Sequence, residues 1–247
     1  MRRLPSSLLL LVLLVLLGLM SITWNLVAAL LHPLLPAERG RAIGRRVISR
    51  CYHGYWRLAG WTGLLRLDST ALDVLRDEPR LIIAANHPSM LDALLLVARL
   101  PHSACIMKAE LMRNVFLGAG ARLARYIRND SARSMIRLAV DDLRRGGQLV
   151  IFPEGTRTTQ PLVNPFGSAV TLIAKLADAP IQAVFIDTDS PYLGKGWPLW
   201  RVPPLPIVFT VRLGERFAPS PDPHGLVRQL EQYFADGLRP RAAAGTR

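Results

Sequence analysis

The sequence predicts an α/β domain, with a central, largely parallel or mixed sheet flanked by helices, preceded by a membrane-associated amino-terminal helical hairpin or span. Three observations carry this reading. From residue 79 onward, short apolar runs alternate with helix-like stretches, the rhythm of strands joined by crossover helices. From Leu4 to Ala37 there is no Asp, Glu, Lys or Arg, and residues 8–17 read LLLLVLLVLL. The chain has 247 residues, half of them hydrophobic, which suits one globular unit with a sizeable core and excludes a disordered polymer. The expected division is a membrane-associated segment over 1–37 and a globular domain over 38–247.

The uncharged stretch would make about 51 Å of helix, against roughly 30 Å of bilayer hydrocarbon. A straight span would use only part of it. Gly18, Ser21, Asn25 and His32-Pro33 interrupt the apolar run, so a span over 4–26 with an interfacial continuation competes with a broken hairpin of two shorter helices. Arg2 and Arg3 precede the stretch, and Arg39, Arg41, Arg45, Arg46 and Arg50 follow it. Basic residues on both flanks favour a re-entrant hairpin seated on one anionic leaflet. A cleaved signal peptide fits less well, because no clear small-residue cleavage site ends the run. Tyr52, Tyr55, Trp56 and Trp61 suit either headgroup contact or core packing.

Five strands are expected at 80–85 (RLIIAA), 103–107 (SACIM), 148–152 (QLVIF), 181–186 (IQAVFI) and 206–213 (PIVFTVRL), several apolar enough to be central. Helices are expected over Met90 to Arg99 and over Asp130 to Arg145. The second would be capped by Asp130, stopped by Gly146-Gly147, and would carry Met135, Ile136, Ala139, Val140 and Leu143 inward. Further helices are expected over Ser168 to Ala177 and about 222–237, with a mobile RPRAAAGTR tail. Residues 188–206 contain five prolines and read as an ordered loop or lid.

Lys and Arg total 31 against 18 Asp and Glu, a net charge of +13. That balance calls for an anionic neighbour. The apolar amino end and the absence of a basic recognition helix or Cys/His finger argue against nucleic acid. Cys51 and Cys105 read as free thiols, and His53, His102 and His224 have no evident ligand partners.

Chemistry concentrates at two strand ends. Asn86-His87-Pro88-Ser89-Met90-Leu91-Asp92 follows the first apolar strand. A His at a strand end with an acid five positions on can pair as base and orienter, with Asp92 fixing the tautomer while the other ring nitrogen takes a proton from a hydroxyl. Pro88 would sit in the first helical turn. By spacing alone, a polar helix-capping cluster explains the same residues. Phe152-Pro153-Glu154-Gly155-Thr156-Arg157 follows another strand. Gly155 permits a tight turn, Thr156 adds a hydroxyl, and the Arg157 fork matches an anion, whereas a Glu154–Arg157 ion pair is the purely structural alternative.

Together these elements resemble the glycerolipid acyltransferase family, best known for 1-acylglycerol-3-phosphate acyltransferases. NHPSMLD at 86–92 and FPEGTR at 152–157 carry the resemblance, which spans roughly residues 50–215. It implies a glycerolipid-acyltransferase-like fold. It also implies transfer of a fatty acyl group from acyl-CoA or acyl carrier protein to a lysolipid hydroxyl, most simply that of 1-acyl-sn-glycerol-3-phosphate. His87 would be the base oriented by Asp92, and Glu154, Gly155, Thr156 and Arg157 would meet the acceptor phosphate. Neither a metal nor a covalent acyl-enzyme is implied.

Elsewhere the match loosens. The third family element resembles Gly120 to Asn129, but Arg128 falls one position early and Asn129 occupies the expected arginine place, so Arg128 either reaches the phosphate or is a solvent-facing or leaflet-facing charge. Asn164 to Ser168 lacks the Lys often found there, and Ala179 to Val184 resembles the fourth element. Lys108, Glu110 and Tyr126 are expected along the substrate channel, with surface salt bridging the alternative for Lys108 and Glu110, and the polar-aromatic stretch 186–200 reads first as structural loop packing and second as a place for acceptor selection. These departures leave room for another lysolipid or an acylated amine-containing lipid as acceptor. A catalytically inactive basic scaffold is the alternative of a different class. Expected partners are membrane lipids, the acyl thioester and the lysolipid, with the domain on the cytoplasmic face of the inner membrane and the oligomeric state left open.

Overall fold

The computed structural model describes residues 6–198 and 201–239. Arg2, Arg3, Trp200 and the tail from residue 240 lie outside the described residues. Helix α1 runs unbroken over Ser6–Leu31, through Gly18, Ser21 and Asn25, because none of these residues alone overcomes the propensity of the leucines around them. The chain turns at His32-Pro33, and α2 follows over Ala37–Trp61. Proline lacks an amide hydrogen and clashes with the preceding helical turn, which ends α1 there. The expected broken hairpin within the uncharged stretch is therefore corrected. Only α1 among the described helices is long and apolar enough to cross a membrane, and its antiparallel neighbour is a basic amphipathic helix.

Among the described residues seven strands form one sheet: β1 (Leu65–Asp68), β2 (Leu81–Ala85), β3 (Ser103–Lys108), β4 (Ile127–Asn129), β5 (Gln148–Ile151), β6 (Ile181–Asp187) and β7 (Ile207–Phe217). Their order is β1-β7-β6-β2-β5-β3-β4. Only β6 and β7 pair antiparallel, so the sheet is mixed and largely parallel. Every residue of β2 and β5 is buried, as expected of strands covered on both faces. The five expected strands are present. The edge strands β1 and β4 were not expected, because LRLD and IRN are too short and too polar to stand out.

Alternation along β2 supplies two cores. Leu81, Ile83 and Ala85 face α1, α2 and α3 (Asp92–Arg99). Ile82 and Ala84 face α5 (Ala132–Arg144), α6 (Ala169–Ala177) and α7 (Pro223–Leu238). Successive strand residues point to opposite faces, so a five-residue apolar run can serve both layers. Helix α5 begins later than expected: Ser131 is its cap, accepting from the Ser134 amide at 3.2 Å, while Asp130 pairs with Arg128 at 2.8 Å. Helix α3 opens at Asp92, which leaves Pro88 in the preceding turn rather than in the first helical turn.

Polar side chains of both amino-terminal helices dock them onto the domain. Asn25 Oδ1 accepts from the amides of Ala119 (2.6 Å) and Gly120 (3.0 Å) at the start of α4 (Gly118–Leu123). The Trp24 indole lies over Gly120, where a β-carbon would sit 2.8 Å from its nitrogen. On α2, Arg45 is 4% exposed. It grips Asp142 of α5 at 2.7 and 3.0 Å and donates to the carbonyls of Ala124 and His102 at 3.0 and 2.9 Å. Arg41 adds a bond to Asp142 at 2.9 Å. Tyr55 and Trp56 are buried in the core, whereas Trp61 is exposed beside Arg57.

Asp142→Ala strands a buried guanidinium and is expected to cost about 3–5 kcal/mol of unfolding free energy. Glu38→Ala removes only exposed pairs with Arg41 and Arg145 and should cost within ~1 kcal/mol. Denaturant unfolding of both variants in detergent micelles checks the contrast.

Candidate active site

The parallel pairing of β2 and β5 sets Ile83 opposite Val150 and Ala84 opposite Ile151, so both strands end at one level. Strand parity then places Phe152 and His87 on the same face as Val150 and Ala85. The two rings stack, with centroids 4.0 Å apart and planes 16° from parallel. Asn86 closes the end of the sheet: its side chain donates to Ile186 O at 2.9 Å and accepts from Ile186 N at 2.7 Å.

His87 Nδ1 lies 2.8 Å from Asp92 Oδ2, which also accepts from the Ser89 amide at 2.7 Å. Asp92 is fully buried, and its Oδ1 has no hydrogen-bond partner among the described residues. Burial pushes the carboxyl up to about 6, against the lowering effects of the His87 and Ser89 contacts. An ionised Asp92 accepts the Nδ1 proton and so leaves Nε2 free to accept one.

Glu154 occupies a different place from the phosphate contact expected of it. It is 8% exposed, and its Oε1 accepts from the His87 amide (3.0 Å) and Thr158 Oγ1 (2.7 Å), while Oε2 accepts from the Asn164 amide (2.8 Å). A carboxylate filled in this way binds the loop to the end of β2. It would repel a phosphate rather than hold one. Gly155 takes a left-handed φ of 67°, which makes the turn possible. Arg157 does not pair with Glu154. Its Nη1 donates to Leu193 O and Gly194 O at 2.8 and 2.9 Å, clamping the proline-rich loop onto the site. The Met90 amide donates to the same Leu193 carbonyl at 3.0 Å, and Ser89 Oγ to Tyr192 O at 3.0 Å.

A cavity of about 530 Å³ opens beside this cluster. His87, Gly155, Thr156, Arg157, Lys108 and Tyr126 line it, together with an apolar majority from α3 and β3. Glu154, Glu110 and Arg128 do not. Glu110 is exposed on the short 3-10 helix Ala109–Arg113. Arg128 is 58% exposed and paired with Asp130, outside the cavity lining. The neighbouring Asn129 reaches the cavity instead, as strand alternation requires. Burial raises Tyr126 well above its ordinary value and Cys105 to about 12, so both stay neutral. Among the described residues no group of three or more His, Cys, Asp or Glu is placed to hold a metal ion. Residue reasoning missed Phe152 and Asn129. The register of two parallel strands, the signal that places them, is not written in either segment alone.

Residues 66–187 match a family model described as Acyltransferase. A 1-acyl-sn-glycerol-3-phosphate acyltransferase of Pseudomonas aeruginosa is 25% identical over 186 residues, 72% of this chain and 70% of that protein. Two putative 1-acyl-sn-glycerol-3-phosphate acyltransferases of Caenorhabditis elegans, acl-1 and acl-2, are 24% and 28% identical over 49% and 59% of this chain. The chain spans about half the length of these two relatives, 49% and 54%. The crystal structure of a 1-acyl-sn-glycerophosphate acyltransferase from Thermotoga maritima superposes with a TM-score of 0.70 at 21% identity, covering 98% of both chains. That likeness is one of fold.

The raised Asp92 carboxyl predicts a signed pH effect. The folded chain holds this proton more tightly than an unfolded one titrating at 3.8, so ionisation of Asp92 removes stability as pH rises from 3.8 through about 6. Asp92→Asn abolishes the titration. The stability difference, wild type minus variant, should therefore fall across that window and level off above it. Urea unfolding at stepped pH measures it, and a difference that rises would contradict the burial effect.

Proposed function

From the match of residues 66–187 to the acyltransferase family model we propose that this chain belongs to that family and moves a fatty acyl group from acyl-CoA or acyl carrier protein to a lysophospholipid hydroxyl. The first acceptor is 1-acyl-sn-glycerol-3-phosphate, giving phosphatidic acid. The observation that carries this reading is the His87–Asp92 contact of 2.8 Å at the head of a large, mostly apolar cavity. A base needs its orienter within hydrogen-bond reach, and a fatty chain needs apolar walls.

In this reading His87 Nε2 takes the acceptor's hydroxyl proton as its oxygen attacks the thioester carbonyl. Asp92 steadies the imidazolium that forms. The tetrahedral intermediate collapses by breaking the carbon–sulfur bond, and the imidazolium returns its proton to the departing thiolate. The protein forms no bond to the acyl group. Phe152 holds the imidazole plane, and its electron-rich face favours the ring once charged. Glu154 holds the His87 backbone, and so acts through His87 rather than on substrate. Lys108 and the uncommitted N–H groups of Arg157 are the cations available to an acceptor phosphate.

A second reading, the same chemistry on a different lysolipid or an acylated amine-containing lipid, is favoured by one observation. The β4 side chain that reaches the cavity is the neutral Asn129, while Arg128 is turned outward.

Residues 1–37 seat the enzyme and 38–247 form its catalytic domain. Leu10 and Leu13 of α1 are buried against that domain, while Leu8, Leu11, Val12, Val15, Leu19, Leu26 and Leu30 are exposed along the other face. A helix docked along its length in this way supports seating in one leaflet of the inner membrane, with the basic α2 toward cytoplasmic anionic headgroups.

His87→Ala should lower kcat by roughly 10²- to 10⁴-fold while vesicle flotation is unchanged. The test is purified protein in mixed micelles with acyl-CoA and acyl carrier protein donors and a panel of lysolipids, reading products by mass spectrometry. Full activity in the variant would defeat the mechanism, and products confined to acceptors without phosphate would select the second reading.

A further inference from the structure

Between β3 and α4 the chain makes an ordered turn whose tip is apolar and bare. Asn114 builds it: Oδ1 accepts from the Phe116 amide at 2.8 Å, and the Asn114 carbonyl accepts from the amides of Leu117 and Gly118 at 3.3 and 2.8 Å. This scaffold presents Val115, 67% exposed, and Phe116, 42% exposed. Adjacent apolar side chains held out on a rigid turn mark a contact surface more strongly than scattered ones do.

Three observations identify what covers the tip. Phe116 lies beside Gly18 of α1, where an added β-carbon would meet its ring at 3.5 Å. Val15 and Leu19, next to Gly18 on the helix, are exposed, so the tip continues the bare apolar face of α1. Leu111 and Leu117, on either side of the tip, line the active-site cavity, as does the half-exposed Met90. Lys108, Arg113 and Arg122 are exposed nearby, with Glu110 the one exposed acid of the segment 108–122, a balance suited to anionic headgroups.

We propose that the Val115–Phe116 turn is a lip buried in the acyl region of the leaflet, over which the chain of the lysolipid acceptor passes from the bilayer into the cavity. The inference rests on the acyltransferase reading for its substrate, but the insertion is a separate physical claim. The occupant is lipid because the surface is continuous with a helix of membrane-spanning length.

The full chain with Val115→Cys and Cys51→Ser, labelled with nitrobenzoxadiazole, is mixed with vesicles of phosphatidylethanolamine and phosphatidylglycerol. The expected result is a blue-shifted, brighter emission, quenched more by nitroxides on the acyl chain than on the headgroup. A label at Glu215→Cys, exposed on β7, should not respond. A label at 115 that stays water-like while one at Leu19→Cys becomes apolar would overturn the proposal. So would a shift that follows protein concentration without vesicles, which indicates a second copy instead. In the kinetic arm, Val115→Ser with Phe116→Ser should raise KM for vesicle-borne acceptor by about tenfold or more, with kcat/KM for a monomeric short-chain acceptor unchanged. Equal KM values on vesicles would contradict the lip. Failure of the wild type to acylate any lysolipid would defeat the functional reading alone, because the depth measurement needs no turnover.

Discussion

The arrangement of the site depends on one buried carboxylate. Two central parallel strands, β2 and β5, end side by side, and chains leaving adjacent strand ends diverge unless something joins them. Glu154 does so by accepting the backbone amide of His87 with one oxygen and that of Asn164 with the other. Unpaired amides and a lone carboxylate at this depth would each be costly, so each compensates the other. The result fixes the backbone of His87, Asp92 fixes its ring from the edge, and Phe152 fixes it from the face. Arg157 extends the same tie to the proline-rich loop through Leu193 and Gly194.

A second set of constraints joins this centre to the amino-terminal helices. Helix α1 is apolar enough to leave water, yet Asn25 and the Trp24–Gly120 contact hold it to α4 in one register. Buried polar contacts often serve to fix register in this way. Arg45 performs the corresponding task for α2 by gripping Asp142. Since α4 leads directly into Tyr126 and Asn129, which line the cavity, the docking of α1 bears on cavity shape as well as on membrane seating.

Much of this was legible in the sequence, for physical reasons. Strands covered on both faces must be apolar throughout, so 80–85, 148–152 and 181–186 announce themselves. The edge segments 65–68 and 127–129 need no such run and were missed. The 86–92 and 152–157 segments mark strand ends that carry chemistry, and the resemblance joins them. What each side chain touches is a different matter. The resemblance implies a substrate contact for Glu154, and nothing in the 152–157 segment reveals that its carboxylate accepts from the His87 amide, 67 positions away. Strand parity sets Asn129 rather than Arg128 toward the cavity, a choice the segment alone leaves open. The uncharged stretch suggested a hairpin within itself, whereas the second arm is α2, whose apolar face is hidden among arginines.

In the proposed reaction acyl transfer depends on His87 being held by Glu154 and Asp92, with Glu154 touching no substrate. Steady-state kinetics of Glu154→Gln on lysophospholipid in mixed micelles tests this most directly. Glutamine keeps the side-chain shape but sets an NH2 donor where one carboxylate oxygen accepts, so either the His87 or the Asn164 amide loses its acceptor, and kcat should fall roughly 10- to 100-fold with the acceptor KM changed by no more than about threefold. A raised acceptor KM with kcat preserved would contradict the account and return Glu154 to the acceptor's binding site.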